Sequence, residues 1–312
     1  MSVLCRRGHL WLSFDRLACY SELAFDLTWI RLCPLSAARI FPEPKMSPLT
    51  NPNATRAPAP THMSPEEWQA RIDLAACYRL VAHHGWTDLI YTHISLRVPG
   101  TAHYLINPFG WSFDEITASS LVKIDSDGQK VDDSPHDVHR AGFVIHSAIH
   151  TARDDAHCVL HLHTRAGMAI SMLKCGLLPL SQHAMMFHGK VAYHESEGLA
   201  VNLQERERLA NDLGNHMVMV LRNHGTLVVG YTVAEAFSSM WHLEKACQAQ
   251  LDAMACGQEL NFPPDGVAEQ ISRLGFNKAA LREYPEGRSP LGWKEWPAML
   301  RLADKVSPGY AV

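Results

Sequence analysis

The sequence predicts an α/β protein with helices on both faces of a mainly antiparallel sheet. Two observations lead there. Short β-rich runs, several of them joined as hairpins, recur with helical stretches set at intervals between them. The helical stretches also carry their own start signals, and none of the phosphate-cradling or nucleophile motifs (G-x-G-x-x-G, G-x-x-x-x-G-K, G-x-S-x-G) accompanies them.

Order is expected from Ser64-Pro65-Glu66-Glu67, where a serine cap, a proline at the first helical position and a glutamate three residues on form a capping box. Trp68, Ile72, Ala75, Ala76 and Leu80 continue at helical spacing, and Gly85 ends the helix. Strands are expected at Leu89 to Val98, Tyr104 to Asn107 and Leu121 to Ile124, with turns at Pro108-Phe109-Gly110 and Asp125-Ser126-Asp127-Gly128. Arg140 to Ala152 reads as a helix with Ile145, His146 and Ile149 on one side. The apolar run Cys158 to Leu162 reads as a central strand. Thr164 caps a helix reaching toward Lys174, with Gly176 as its stop. Short strands are expected at Leu177 to Leu180 and Lys190 to Tyr193, and an amphipathic helix at Leu203 to Leu213. The runs Met217 to Leu221 and Thr226 to Val229 form a hairpin, with Gly225 free to take a positive φ. Thr232 and Glu235 make a second capping box. The stripe Phe237, Met240, Leu243, Cys247, Leu251 and Met254 behind it is core or subunit interface.

Residues 63–256 are therefore expected to form the folded domain, followed by a C-terminal arm over 257–312. Residues 1–62 differ from the rest. Asp15, Glu22, Asp26 and Arg31 interrupt an apolar stretch that would need about 20 clean apolar residues to cross a membrane. Arg6 and Arg7 precede it, but the run is too charged for a signal peptide and no small-residue cleavage site follows. Pro42, Pro44, Pro48, Pro52, Pro58 and Pro60 then predict an extended, disordered linker. A start assigned too far upstream, with Met46 or Met63 as the true one, would explain the segment.

At 312 residues with a net charge of −4, the chain offers no basic surface for nucleic acid or for an anionic membrane. Its eight cysteines are scattered without a C-x-x-C, which fits a reducing cytoplasm rather than a disulfide framework or a zinc finger. The 19 histidines stand out and point to metal or proton chemistry. On a strand, His161 and His163 project from the same face and can supply two metal ligands; the alternative is a pair of surface histidines on an edge strand. His224, at the tip of the Arg222-Asn223-His224-Gly225 turn, is presented rather than buried and can be the third ligand or simply a turn residue.

Read together, these motifs resemble the class II aldolase/adducin family over roughly residues 64 to 255. His161-Leu162-His163 after an apolar strand, Asn223-His224-Gly225 further on, and Gly230-Tyr231-Thr232-Val233-Ala234-Glu235-Ala236-Phe237 as a G-x-T-x-x-E-A-F helix agree with it in order and spacing. Ile90-Tyr91-Thr92-His93-Ile94-Ser95 and Ala141-Gly142-Phe143-Val144-Ile145-His146-Ser147 look most like the adducin branch. The resemblance implies a three-layer α/β/α fold with a mainly antiparallel central sheet, and a small-molecule substrate. It also implies a homotetramer with its active site at a subunit interface, and a divalent metal on His161, His163 and His224, Zn2+ first, with Fe2+ or Mn2+ as alternatives. The departures are informative. Gly142 stands where the sugar-phosphate aldolases carry a metal-binding, proton-shuttling glutamate. Arg140 and Ala141 match two phosphate-binding serines, and Thr92-His93 replaces the Gly-Asn of the other phosphate loop. His183 corresponds to a tyrosine acid of some members. These changes predict a non-phosphorylated hydroxy-carbonyl substrate. His183 and His139 become the candidate proton carriers, ahead of His188, His194, Glu195 and Glu197, with His146 structural. Three functions follow: a metal-dependent lyase, a non-haem iron oxygenase or decarboxylase, and a non-catalytic adducin-like assembly module.

Overall fold

The computed structural model of the chain describes residues 57–198, 205–275 and 291–312. A seven-stranded sheet runs through the centre in the order β3-β2-β1-β4-β7-β6-β5. Its strands are β1 (His93–Arg97), β2 (Tyr104–Ile106), β3 (Val122–Ile124), β4 (Cys158–Leu162), β5 (Val191–His194), β6 (Val218–Leu221) and β7 (Gly225–Gly230). Every neighbouring pair is antiparallel except β5 and β6. The helices are α1 (Pro65–His83), α2 (Arg140–Ala152), α3 (Arg165–Ser171), α4 (Gln182–Met186), α5 (Glu205–Leu213), α6 (Val233–Ala255), α7 (Val267–Gly275) and α8 (Glu295–Val306).

The strand pleat sorts the side chains into two cores. Cys158, Leu160 and Leu162 of β4 and Ile94 and Leu96 of β1 pack with Leu74, Tyr78, Phe237, Met240 and Leu243 of α1 and α6. Val159 of β4 and Leu227 and Val229 of β7 pack on the opposite face with Ile145 and Ile149 of α2 and Leu209 and Leu213 of α5. This is the expected three-layer α/β/α arrangement. The stripe on α6 is core as far as Cys247, while Met254 is exposed.

The caps form as expected, although their glutamates work elsewhere. The Ser64 hydroxyl accepts from the Glu67 amide at 3.1 Å, but the Glu67 carboxylate binds Arg71 and Lys123 instead of closing the box. That network anchors α1 to β3. Thr232 accepts from the Glu235 amide, and Glu235 accepts from the Tyr231 amide, one residue before the cap.

Three local expectations need correction. The strand expected from Leu89 begins only at His93, because Leu89 (φ 51) and Thr92 (φ 68) turn the chain sharply ahead of it. Leu177 to Leu180 is not a strand. The amides of Leu177 and Leu178 are satisfied by the Tyr193 hydroxyl and by Gln250 Oε1, so no ladder is needed. The helix after Thr164 stops at Ser171 rather than near Lys174. Most of the N-terminal extension lies outside the described residues. Ala57 is tied to the folded part: the Trp68 indole donates to its carbonyl at 3.0 Å, and its amide donates to the Ala311 carbonyl at 3.2 Å. In the C-terminal region, α8 packs on α1, and Trp296 donates to Asp73 at 3.1 Å. No described helix is long and apolar enough to cross a membrane.

Candidate metal centre

β4 delivers His161 from inside the sheet and His163 just past the strand end, on the face that α2 covers. The antiparallel partner β7 begins at Gly225, so the turn joining β6 to β7 places His224 beside them. The ring centroids of the three imidazoles are 4.7–4.9 Å apart in every pairing. One nitrogen from each lies within 4.8 Å of the other two; this is the only such ligand cluster among the described residues.

The turn is built differently from expectation. Asn223, not Gly225, takes the positive φ, at 58°, a conformation asparagine tolerates well. Glycine is required at 225 for a separate reason. A Cβ there would lie 2.5 Å from the Leu162 carbonyl oxygen and 3.0 Å from His163 Cδ2. The turn is pinned from behind by the Asn223 amide on the Ser171 carbonyl and by Arg222, which reaches the Leu173 carbonyl at 2.7 Å and stacks on Tyr193.

The hydrogen bonds fix which nitrogens face inward. His161 Nδ1 is 3.0 Å from the Thr226 carbonyl, which can only accept, so Nδ1 carries the proton. His163 Nδ1 donates in the same way to Asp88 Oδ2 at 2.9 Å. The two Nε2 atoms are left facing each other at 3.1 Å. Burial, then the neighbouring imidazoles of His224, His93 and His163, hold His161 well below the usual histidine range. His224 is pushed down to about 4, by burial first and then by His163 and His194. With each Nδ1 turned outward to its acceptor, the two Nε2 atoms point at one another, an arrangement that a cation between them would satisfy. Their separation is close to the roughly 3.3 Å that two nitrogens subtend on tetrahedral Zn2+ at about 2.0–2.1 Å. The donor set therefore fits a divalent metal.

The remaining expected residues are distributed unevenly. His139 sits ahead of α2, its ring 6.1 Å from His93 and 4.6 Å from Phe109, and its Nδ1 is buried without a partner among the described residues. His183 pairs instead with His242 of α6, ring centroids 5.1 Å apart, and makes no described ring contact with the triad. His188 pairs with Glu269 at 3.1 Å. His194 is buried between Asp212 and Glu205 at 2.7 and 3.4 Å. Glu195 is exposed and 3.9 Å from Arg222, and Glu197 is paired with Arg208; both line a pocket with His224, but neither belongs to the three-histidine ligand cluster.

Sequence reasoning passed over Asp88, and noted His93 only as a replacement in a phosphate loop, not as a neighbour of the triad. Asp88 lies one residue before the stretch expected as strand from Leu89, at the start of the sharp loop. His93 is directly opposite His161 across the β1–β4 ladder, with ring centroids 5.4 Å apart. Burial foremost, then His146, His139, His163 and His224, hold it well below the usual range. Its pattern becomes readable only once the β1–β4 pairing is known. His93, Ser95 and Arg97 at strand spacing meet Gly142, His146 and His150 at helical spacing, and the two stripes advance by similar steps of about 6–7 Å.

A sheet of this order with three convergent imidazoles defines an α/β protein with a candidate metal centre at the end of a strand. The model of the class II aldolase and adducin N-terminal domain matches residues 72–251, and the chain belongs to that family. An aldolase II superfamily protein from Pseudomonas syringae is 48% identical, covering 80% of this chain and 98% of its own, with a TM-score of 0.73. An L-fuculose 1-phosphate aldolase from Glaciozyma antarctica is 27% identical, covering 81% and 97%, at TM-score 0.67. Rat alpha-adducin is 40% identical over 76% of this chain and 33% of its own length.

Proposed function

We propose that the protein is a metal-dependent lyase of the class II aldolase type, cleaving or decarboxylating a small, non-phosphorylated hydroxy-carbonyl compound. The observation that carries this is the triad itself: three imidazole nitrogens converge, with Nδ1 of His161 and of His163 anchored by Thr226 and Asp88. His161, His163 and His224 would hold the metal, Zn2+ first, with Fe2+ or Mn2+ as alternatives. When bound, such an ion supplies Lewis-acid polarisation of a chelated substrate oxygen. Asp88 and the Thr226 carbonyl keep the ring orientations fixed. His139 is the proton carrier closest to hand, with its ring near His93 and a buried unpartnered Nδ1. His183 would reach the site only from a neighbouring subunit, as a homotetramer with interface active sites would allow. The five described cysteines are unpaired, which agrees with a reducing cytoplasm.

The test is aldehyde release from matched phosphorylated and non-phosphorylated hydroxy-carbonyl compounds, with protein loaded in turn with Zn2+, Mn2+ and Fe2+. Metal-dependent cleavage of the non-phosphorylated members, abolished in His163→Ala, is the expected result. Oxygen uptake by the iron form without cleavage would shift the assignment to an iron oxygenase. The alpha-adducin similarity favours a second reading, a non-catalytic assembly module, which a protein without turnover on any metal would support.

A further inference from the structure

The position of the missing glutamate is filled from across the sheet. A Cβ added at Gly142 would lie 2.9 Å from His93 Cδ2 and 3.3 Å from His93 Nε2. The His93 ring thus occupies the space into which a side chain at 142 would grow. As a directly paired residue on antiparallel strands, His93 shares a sheet face with His161.

A chain of hydrogen bonds sets which nitrogen of His93 carries its proton. It starts at the Ala156 carbonyl, which can only accept, and His150 Nδ1 donates to it at 2.7 Å. In a neutral ring His150 Nε2 must then accept, and the Ser95 hydroxyl supplies that proton at 2.7 Å. Having donated its proton, Ser95 Oγ accepts from His146 Nδ1. His146 Nε2 is thereby left as an acceptor, and His93 Nδ1 donates to it at 2.8 Å. All four side chains are almost completely buried. Burial of all three rings disfavours a charged imidazole and leaves the neutral forms that the chain of hydrogen bonds requires. The polarity runs one way and ends with a lone pair on His93 Nε2.

We propose that His93 is a substrate-contacting residue of the metal site, its Nε2 accepting a hydrogen bond from the hydroxyl of a 2-hydroxy carboxylate or related hydroxy-carbonyl ligand held at the His161, His163 and His224 triad. This rests on the metal-dependent reading above. A neutral acceptor adds no negative charge beside the metal, so a carboxylate-bearing ligand is not repelled as it would be by a glutamate at 142.

The test uses the full chain loaded with Zn2+ and two probes, glycolate and methoxyacetate, which differ in the hydroxyl proton. Wild type should bind glycolate several-fold tighter, about three- to tenfold for one hydrogen bond, and His93→Leu should bring the ratio near one while retaining zinc. Long-range proton–nitrogen NMR of the wild type supplies a second readout, in which His93, His146 and His150 should each be protonated at Nδ1 alone. A proton on His93 Nε2, no preference in wild type, or an unchanged preference in a zinc-bearing His93→Leu overturns the proposal. Failure of wild type to take up any of Zn2+, Fe2+ and Mn2+ removes the metal reading and the proposal with it. Unchanged preference with zinc retained removes only the role of His93.

Discussion

Two sets of histidines meet on the α2 face of the sheet, and they are held in different ways. His161, His163 and His224 are placed by backbone: a strand, its end, and a turn whose Gly225 lets the chain pass under the Leu162 carbonyl. His93, His146 and His150 are placed by one another, through Ser95 and a single carbonyl at the far end. The first set can converge on a cation because His161 and His163 turn their Nδ1 outward to fixed acceptors and leave Nε2 facing inward, where His224 joins them. The second uses its nitrogens internally and leaves one acceptor over. In the first set geometry is inherited from the fold, whereas in the second it depends on every member keeping its tautomer and remaining neutral.

That contrast can be broken from the acid side. His150, held near 3 when folded against about 6.5 when unfolded, binds its proton more readily in the unfolded chain. Its contribution is therefore intact above pH 6.5 and is lost progressively as pH falls toward 3, by about 4 kcal/mol at pH 3.5. Denaturant midpoints of wild type and His150→Gln, measured from pH 7 to 3.5, should converge as pH falls; parallel curves would show that the His150 layer is not held neutral.

The backbone-borne set is sharpened by Gly225→Ala. The new methyl would meet a carbonyl oxygen rather than a movable side chain, and a cost near the upper end of about 1–3 kcal/mol is expected, together with weaker metal retention. Unfolding by urea and metal analysis of the same sample check both. A smaller effect is expected from Asp88→Asn, which keeps the shape but loses the carboxylate that fixes His163. Metal affinity should fall about 10- to 100-fold with little change in stability, read by competition with a chromophoric chelator.

The difference between the two sets also explains what could be read from the sequence. A period-two pair of histidines in an apolar strand and a histidine before a glycine in a hairpin are local patterns, and Val159 to His163 and Arg222 to Gly225 display them openly. The layered fold was legible for the same reason, since caps such as Ser64 and Thr232 and alternating apolar runs are local. His93 and Asp88 were not, because their roles depend on which strands pair and on a loop whose strained Leu89 and Thr92 resemble β-formers in composition. The helix Gln182–Met186 was missed as well, being a single short turn capped by Ser181 beside a region that reads as strand.

Metal content by elemental analysis, on protein purified without a histidine tag, for wild type and His163→Ala, tests the central claim most directly. Near-stoichiometric zinc, or iron or manganese in its place, in wild type and its loss in the variant is the expected result. Wild-type protein that carries no metal and takes up none when offered Zn2+, Fe2+ or Mn2+ would contradict a metal centre at His161, His163 and His224.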